Sequence, residues 1–140
     1  MSKPMLGAAG ALLVVVTGAA GAQTIVDTTS TMAGQPIEAP AGPLELKAAK
    51  VTLAAGAPVP VHMHFWARYV YVESGQLQVT MVDGGRSRTF RSGEMIVEPI
   101  GKWHFGKAGP AGAVLIGIEQ VPPGRCNTIE PPAGAKPNDC

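Results

Sequence analysis

The chain has 140 residues, of which 15% are charged, and its formal net charge is +1. It contains no run of Lys or Arg, so the basic surface expected of a nucleic-acid-binding protein is missing, and we exclude nucleic acid as a partner. The 18 glycines and 13 prolines are spread along the chain, and this composition predicts one small domain with many turns.

Residues 1–22 predict a secretory signal peptide that is not part of the fold. Lys3 precedes an apolar run, and small residues then lead to Ala20-Gly21-Ala22, which is typical of a cleavage site. Gly and Ala dilute the apolar run, which argues against a membrane anchor, because a spanning helix needs about 20 strongly apolar residues. We therefore expect a periplasmic or secreted protein that begins at Gln23 and has no membrane contact after cleavage.

The segment from residue 23 to residue 43 is polar or small in character and is interrupted by prolines. It predicts an extended leader with at most one short edge strand near residues 36–38.

Short segments with strand character follow one another between residues 44 and 120. Ser74-Gly75 separates two strictly alternating segments and predicts a hairpin turn, after which Leu77, Val79 and Met81 share the core face. No long apolar stripe of helical period is present, so we expect an all-β fold of antiparallel strands, a barrel or jelly roll, with little helix. The predicted strands are 44–53, 68–73, 76–82, 87–91, 94–98 and 113–120.

Residues 121–140 lack apolar periodicity and are rich in proline, so they predict an irregular C-terminal tail. Cys126 and Cys140 are the only cysteines of the chain. In an exported protein an even number of cysteines predicts a disulfide bond, which here would close the tail. Two unpaired thiols are the alternative.

All three histidines lie in two short stretches of this strand-rich region. His62 and His64 are two residues apart in a run with strand character, so their side chains point to the same face. His104 follows a turn at Pro99-Ile100-Gly101. Two imidazoles from one strand and a third from a segment fixed by a turn predict a metal site.

The two stretches resemble the two sequence motifs of the cupin superfamily. This resemblance implies a single-domain cupin of the type-2 kind, a double-stranded β-helix over residues 44–120 that is often dimeric, so a homodimer is possible. It also implies that His62, His64 and His104 are metal ligands. The matching motif positions are Gly56, His62, His64 and Gly75 in the first stretch and Gly93, Pro99, Gly101 and His104 in the second.

Arg68 stands where the family usually has a carboxylate ligand, and a permanently charged guanidinium cannot coordinate a metal. It could anchor an anionic substrate, or it could form an ion pair with Glu94 or Glu98. Alternatively the cavity holds no metal and Arg68 contacts an organic ligand. Glu98 is a possible extra ligand, although strand parity does not decide which face it occupies.

The resemblance to cupins, taken with these residues, implies the kind of cofactor and the class of function. A site without a carboxylate ligand favours Fe, Cu, Zn or Ni over Mn. We expect an exported, metal-dependent oxidoreductase of dioxygenase type that acts on a small anionic organic substrate. The alternative is a non-catalytic cupin that binds a metal or a small ligand as a sensor or carrier.

Overall fold

The computed structural model describes residues 21–131, and in this range it contains seven β-strands and no helix. Among these residues there is accordingly no helix long and apolar enough to cross a membrane. Residues 1–20 of the predicted signal peptide lie outside the described range, as does Cys140 of the predicted disulfide bond. The strands are β1 (Glu45–Leu53), β2 (Pro58–His64), β3 (Arg68–Met81), β4 (Ser87–Arg91), β5 (Met95–Val97), β6 (His104–Val121) and β7 (Thr128–Ile129).

The named strands pair in antiparallel fashion throughout, in the order β4-β3-β6-β2-β7, with β1 paired to β6 and β5 paired to β3. The long strand β6 pairs with β1, β2 and β3, so it links the β3–β4 part of the sheet to the β2–β7 part. The all-β prediction is therefore confirmed.

The hydrophobic core lies between β3, β6 and the short strands β4 and β5. Leu77, Val79 and Met81 are at most 4% exposed, which confirms that they share the core face. Every second side chain of β3 points inward there, as strand periodicity requires. The core cluster consists of Val70, Val72, Leu77, Val79, Phe90, Ile96, Ala108, Ala113 and Leu115.

The predicted hairpin turn at Ser74-Gly75 is wrong, because β3 runs through both residues without interruption. The pairing of β3 with β6 shifts register on either side of them, as at a β-bulge. Gly75 has φ of 73°, and a Cβ at this position would collide with the carbonyl oxygen of Gly112. Glycine is required at this position because the strand bulges there and its backbone approaches Gly112 closely. In the sequence, such a bulge has the same pattern as a turn.

Strand β6 is longer than predicted, since it begins at His104 and not at Ala113. Its first half contains Gly106, Gly109 and Pro110, which weaken a strand pattern in sequence. Backbone pairing with β3 nevertheless holds this half in the sheet, where Met81 faces His104.

The leader and the tail both attach to the barrel. In the leader, the N–H of Met32 donates to the carbonyl of Val97 at 2.8 Å. In the tail, β7 pairs with the end of β2, His64 facing Thr128. The prediction of a wholly irregular tail missed β7, because a two-residue strand is too short to show periodicity.

Candidate metal centre

Two strands and one loop bring four potential metal-binding side chains together. His62 and His64 lie on β2, and His104, the first residue of β6, is the register partner of His62. Glu98 follows directly after β5. One ligand atom from each of these residues lies within 4.8 Å of the others. The structure thus places the three predicted histidines in one cluster together with Glu98, the residue considered from sequence as a possible extra ligand.

The cluster is almost completely removed from solvent. His64 is 0% exposed, His104 is 1%, Glu98 is 5% and His62 is 9% exposed. The ring centroids of the three imidazoles are 4.4 to 5.2 Å apart, and the rings are inclined to one another by 53° to 69°. The rings therefore surround a common space and do not stack.

Backbone carbonyls fix the protonation of two of the rings. The Nδ1 atom of His62 is 2.7 Å from the carbonyl oxygen of Pro60, and the Nδ1 atom of His104 is 2.9 Å from that of Lys102. A carbonyl only accepts hydrogen bonds, so each Nδ1 must carry a proton. In the neutral ring the lone pair is then on Nε2, the form in which an imidazole binds a metal.

The Nε2 atoms supply a direct test of whether a metal ion fits. Those of His64 and His104 are buried and have no hydrogen-bond partner among residues 21–131. Glu98 Oε2 lies 3.0 Å from His64 Nε2 and Glu98 Oε1 lies 3.7 Å from His104 Nε2, but the first contact lacks hydrogen-bond alignment and the second is too long. A cation among these atoms would satisfy polar groups that are otherwise costly to bury. The donor set therefore fits a divalent transition metal ion.

The protonation states of Glu98 and His62 suit this role. Burial alone would raise the pKa of Glu98, but the imidazoles of His104 and His64 and the guanidinium of Arg68 outweigh burial and hold that pKa well below its usual range. Burial lowers the pKa of His62 to about 4, partly opposed by the hydrogen bond to Pro60. At neutral pH the site thus presents an ionised carboxylate and a neutral imidazole, as metal binding requires.

Arg68 lies beside the cluster. Its Nε is 3.6 Å from Glu98 Oε2, and its Nη1 donates a long hydrogen bond of 3.4 Å to Thr128 Oγ1. Its guanidinium packs on Gly117, where a Cβ would come within 2.7 Å of Nη2. Of the two carboxylates considered from sequence, the one paired with Arg68 is therefore Glu98. The other, Glu94, lies 3.8 Å from Arg88.

A cavity of about 190 Å³ opens beside the cluster. His62, His104, Glu98 and Arg68 form its polar wall, whereas the completely buried His64 lies behind them. The other walls are apolar, so the cavity suits a small organic molecule with one polar end. The apolar and aromatic side chains that line it are Val51, Leu53, Pro58, Val59, Pro60, Val70, Leu77, Val79, Phe105 and Leu115.

The sequence left the orientation of one residue of the site open and gave no signal for another. Glu98 lies just past the last residue of β5, where alternation no longer decides its face, although its position next to Pro99 made it a candidate. Thr128, which contacts both His64 and Arg68, gave no signal, because its place depends on β7. The argument against Mn assumed a site without a carboxylate and loses its basis once Glu98 joins the cluster.

A family model described as a cupin domain matches residues 49–115. These residues form a cupin domain. Its boundaries enclose β2, β3, β4 and β5, and they include all four members of the cluster. The sequence-based resemblance to cupins is therefore confirmed. No curated protein matches the chain.

Solved structures similar to this chain include the DMSP lyase DddQ from Ruegeria pomeroyi DSS-3, with 20% identity and a TM-score of 0.53 over 64% of this chain and 45% of that one. BH2720 from Bacillus halodurans has 20% identity and a TM-score of 0.51, over 61% of this chain and 69% of that one. An oxalate oxidase has 31% identity and a TM-score of 0.45, over 52% of this chain and 40% of that one. The chain thus spans less than half the length of the two enzymes. At these levels the first two likenesses show the fold alone.

Proposed function

We propose that this cupin domain holds a divalent transition metal ion and uses it to act on a small anionic organic substrate, as an oxidoreductase of dioxygenase type. One observation carries the proposal: two buried histidine Nε2 atoms without hydrogen-bond partners face an ionised carboxylate at the wall of an apolar cavity.

His62, His64 and His104 would hold the metal, with Glu98 as a further ligand. Fe, Cu, Zn and Ni suit a site rich in imidazole, and Glu98 leaves Mn open as well. A bound metal ion of this kind supplies Lewis acidity toward a substrate oxygen and, if it is redox-active, a means to activate dioxygen. The protein's own contribution is a shielded site in which ligand orientation is fixed before substrate arrives.

Charge balance favours an anionic substrate. Three neutral imidazoles, the Glu98 carboxylate and the Arg68 guanidinium sum to zero, so a divalent ion would leave the site with two uncompensated positive charges. The Nε of Arg68 is buried and has no hydrogen-bond partner within the described part of the chain. We infer that Arg68 orients a substrate carboxylate through a charge-assisted hydrogen bond, while the apolar part of the substrate lies against the valine and leucine side chains of the cavity.

A second candidate function, a non-catalytic carrier or sensor of a metal or small ligand, is favoured by a different observation. Among the residues that line the cavity, the titratable ones are His62, His104, Glu98 and Arg68. If the first three bind metal, the lining offers no separate general base. Binding without turnover would need none.

Oxygen consumption separates the two candidates. The protein is loaded in turn with Fe(II), Cu(II), Zn(II), Ni(II) and Mn(II) and then mixed with carboxylates from acetate to benzoate. An oxidoreductase of this type consumes oxygen with one redox-active metal, and mass spectrometry identifies the product. A carrier or sensor shows only a ligand-dependent rise in melting temperature. Absence of metal binding by all five ions would overturn the oxidoreductase and the metal carrier, and a ligand-dependent rise in melting temperature under those conditions would assign the cavity to a small organic ligand alone.

Variants at Arg68 test the substrate class. Arg68→Gln should raise the KM for a carboxylate substrate and leave the metal content unchanged, whereas Arg68→Lys should retain part of the affinity, because its ammonium keeps the charge and loses the planar fork. The exposed Arg86 is the matched control, and Arg86→Gln should change neither quantity. An unchanged KM in Arg68→Gln would mean that this guanidinium does not meet the substrate.

We also propose that the domain works outside the cytoplasm, after removal of the signal peptide predicted at residues 1–22. N-terminal sequencing of the protein recovered from the native host should find Gln23 first. Size-exclusion chromatography with light scattering would test the homodimer that the cupin resemblance implies.

A further inference from the structure

His64 differs from the other two histidines in the partner of its Nδ1 atom. His62 and His104 face backbone carbonyls, which only accept a hydrogen bond. His64 Nδ1 lies 3.0 Å from the hydroxyl oxygen of Thr128, and a hydroxyl can either accept or donate. His64 is therefore the ring of the three whose proton is not fixed by its neighbour.

The position of Thr128 is determined by several contacts of the tail with the barrel. Thr128 is the register partner of His64 across the β2–β7 pair. The preceding residue, Asn127, is 1% exposed. Its Oδ1 accepts from the N–H of Trp66 at 2.8 Å, and its Nδ2 donates to the carbonyl of Trp66 and to Glu119 Oε2, each at 3.2 Å. The tail is thus anchored one residue before it meets the site.

A rotating hydroxyl at this place permits two arrangements of the His64 proton. In one, Thr128 donates to Nδ1, and Nε2 carries the proton; the Glu98 carboxylate, 3.0 Å away, attracts this N–H by charge without an aligned hydrogen bond. In the other, Nδ1 is protonated and donates to Thr128, and the lone pair on Nε2 is free for a metal. The hydroxyl satisfies Nδ1 in both arrangements, so moving the proton leaves no buried group at Nδ1 without a partner.

We propose that Thr128 is a positioning residue of the metal site: its hydroxyl donates to His64 while the site is empty and accepts from His64 when a metal is bound. This inference rests on the proposed metal site and adds to it a part of the chain that lies beyond the cupin match at residues 49–115. Arg68 contacts the same hydroxyl oxygen, to which its Nη1 donates over 3.4 Å.

Cobalt titration tests the proposal. Purified protein is stripped with a chelator, and Co²⁺ binding is followed by visible absorbance in competition with the chelator. Removing a hydrogen-bond partner of a metal-bound histidine typically weakens metal affinity by about 10–100-fold, and we expect this loss for Thr128→Val. Thr128→Ser keeps the hydroxyl and should bind Co²⁺ within about threefold of the wild type.

The matched control is Thr52→Val on β1, at an exposed threonine away from the cluster, which should leave the affinity unchanged. Equal affinities of Thr128→Val and wild type would overturn the role of Thr128 and leave the metal site intact. Failure of the wild type to bind Co²⁺ would overturn the site and this inference together.

Nitrogen-15 NMR of the histidine rings tests the proton position in the wild type, so it does not depend on whether a variant folds. In metal-free protein His64 should carry its proton on Nε2, and His62 and His104 on Nδ1. After Zn²⁺ is added all three should carry it on Nδ1. A His64 already protonated on Nδ1 in the metal-free protein would contradict the proposal.

Discussion

The cupin domain and the segments that flank it contribute to the site in different ways. All four members of the cluster come from within the domain, where strand register brings His62 opposite His104. The flanks add contacts that hold these residues: Gln35 of the leader bonds to the backbone of Ile100, and Thr128 of the tail contacts His64. The barrel therefore supplies the groups that could bind a metal, and the flanks help to hold these groups in position.

This difference has a physical origin. Here the imidazole and carboxylate groups come from separate strands and a loop, and the fixed register of the sheet brings them together. The turn before His104 is bound to the barrel by one short backbone hydrogen bond, from the N–H of Gly101 to the carbonyl of His64 at 2.7 Å, and the side chain of Gln35 adds two more from the leader. Substitutions in the barrel should therefore abolish metal binding or folding, whereas substitutions in the flanks should only weaken metal binding or lower stability.

The largest effect is expected in the barrel, on removing a ligand. His104→Ala should lower metal affinity by more than the roughly 10–100-fold typical of changes around a ligand, and the metal-dependent part of the melting temperature should disappear with it. Metal content after dialysis, measured by mass spectrometry, gives the result. Lys107→Ala, on the exposed side of the same strand, is the control. Retention of stoichiometric metal in His104→Ala would mean that His104 is not a ligand.

A second change tests the bulge on which the barrel register depends. Gly75→Ala combines a φ of 73° with a collision against the Gly112 carbonyl, so the free energy of unfolding should fall by about 3 kcal/mol or more. Gly84→Ala is the matched control, because Gly84 has the same φ and open space around it; it should cost only about 1 kcal/mol. Urea denaturation measures both. Equal losses would show that the close approach to Gly112 carries no cost.

Acid should destabilise the metal-free barrel through the cluster itself. In the folded chain the pKa of His62 is about 4, whereas its ordinary value is 6.5. Between pH 4 and pH 6.5 the unfolded chain therefore binds more protons than the folded chain, and the free energy of unfolding rises with pH. Glu98, whose pKa is lowered, acts in the same direction at still lower pH. From pH 6.5 down to pH 4 we expect a loss of up to about 3 kcal/mol in the free energy of unfolding. His62→Gln should flatten this part of the profile; an unchanged slope would assign it to other groups.

The smallest effect is expected in the leader. Gln35 donates to the carbonyl of Ile100 at 2.6 Å and accepts from its N–H at 3.0 Å. Gln35→Ala should therefore lower the free energy of unfolding by about 1–2 kcal/mol. Gln78→Ala, on the exposed face of β3, should have almost no effect. If both variants unfold at the same urea concentration, the leader does not brace the turn before His104.

What the sequence could predict depends on a different distinction, between local patterns and long-range strand pairing. The histidine spacing and the motif glycines and prolines are local patterns, and they were sufficient for the all-β cupin fold and for the clustering of His62, His64 and His104. The bulge at Gly75 was missed because Ser-Gly between two alternating segments occurs both in hairpins and in bulged strands. Only the pairing of both halves of β3 with β6 distinguishes them.

The surroundings of Arg68 show why the remainder of the site could not be derived. Its charge suggested a site without a carboxylate, yet the carboxylate comes from Glu98, 30 residues further along the chain. Backbone pairing sets this contact, since the N–H of Glu98 donates to the carbonyl of Arg68 at 2.8 Å. Long-range register of this kind depends on tertiary structure, and no window of the sequence displays it.

A crystal grown with a saturating divalent transition metal, with data collected at the absorption edge of that metal, tests the central claim most directly. We predict one strong anomalous peak bonded to the Nε2 atoms of His62, His64 and His104, with the Glu98 carboxylate beside it. A crystal with no anomalous peak in this cluster, or with the metal bound only by other residues, would contradict the account.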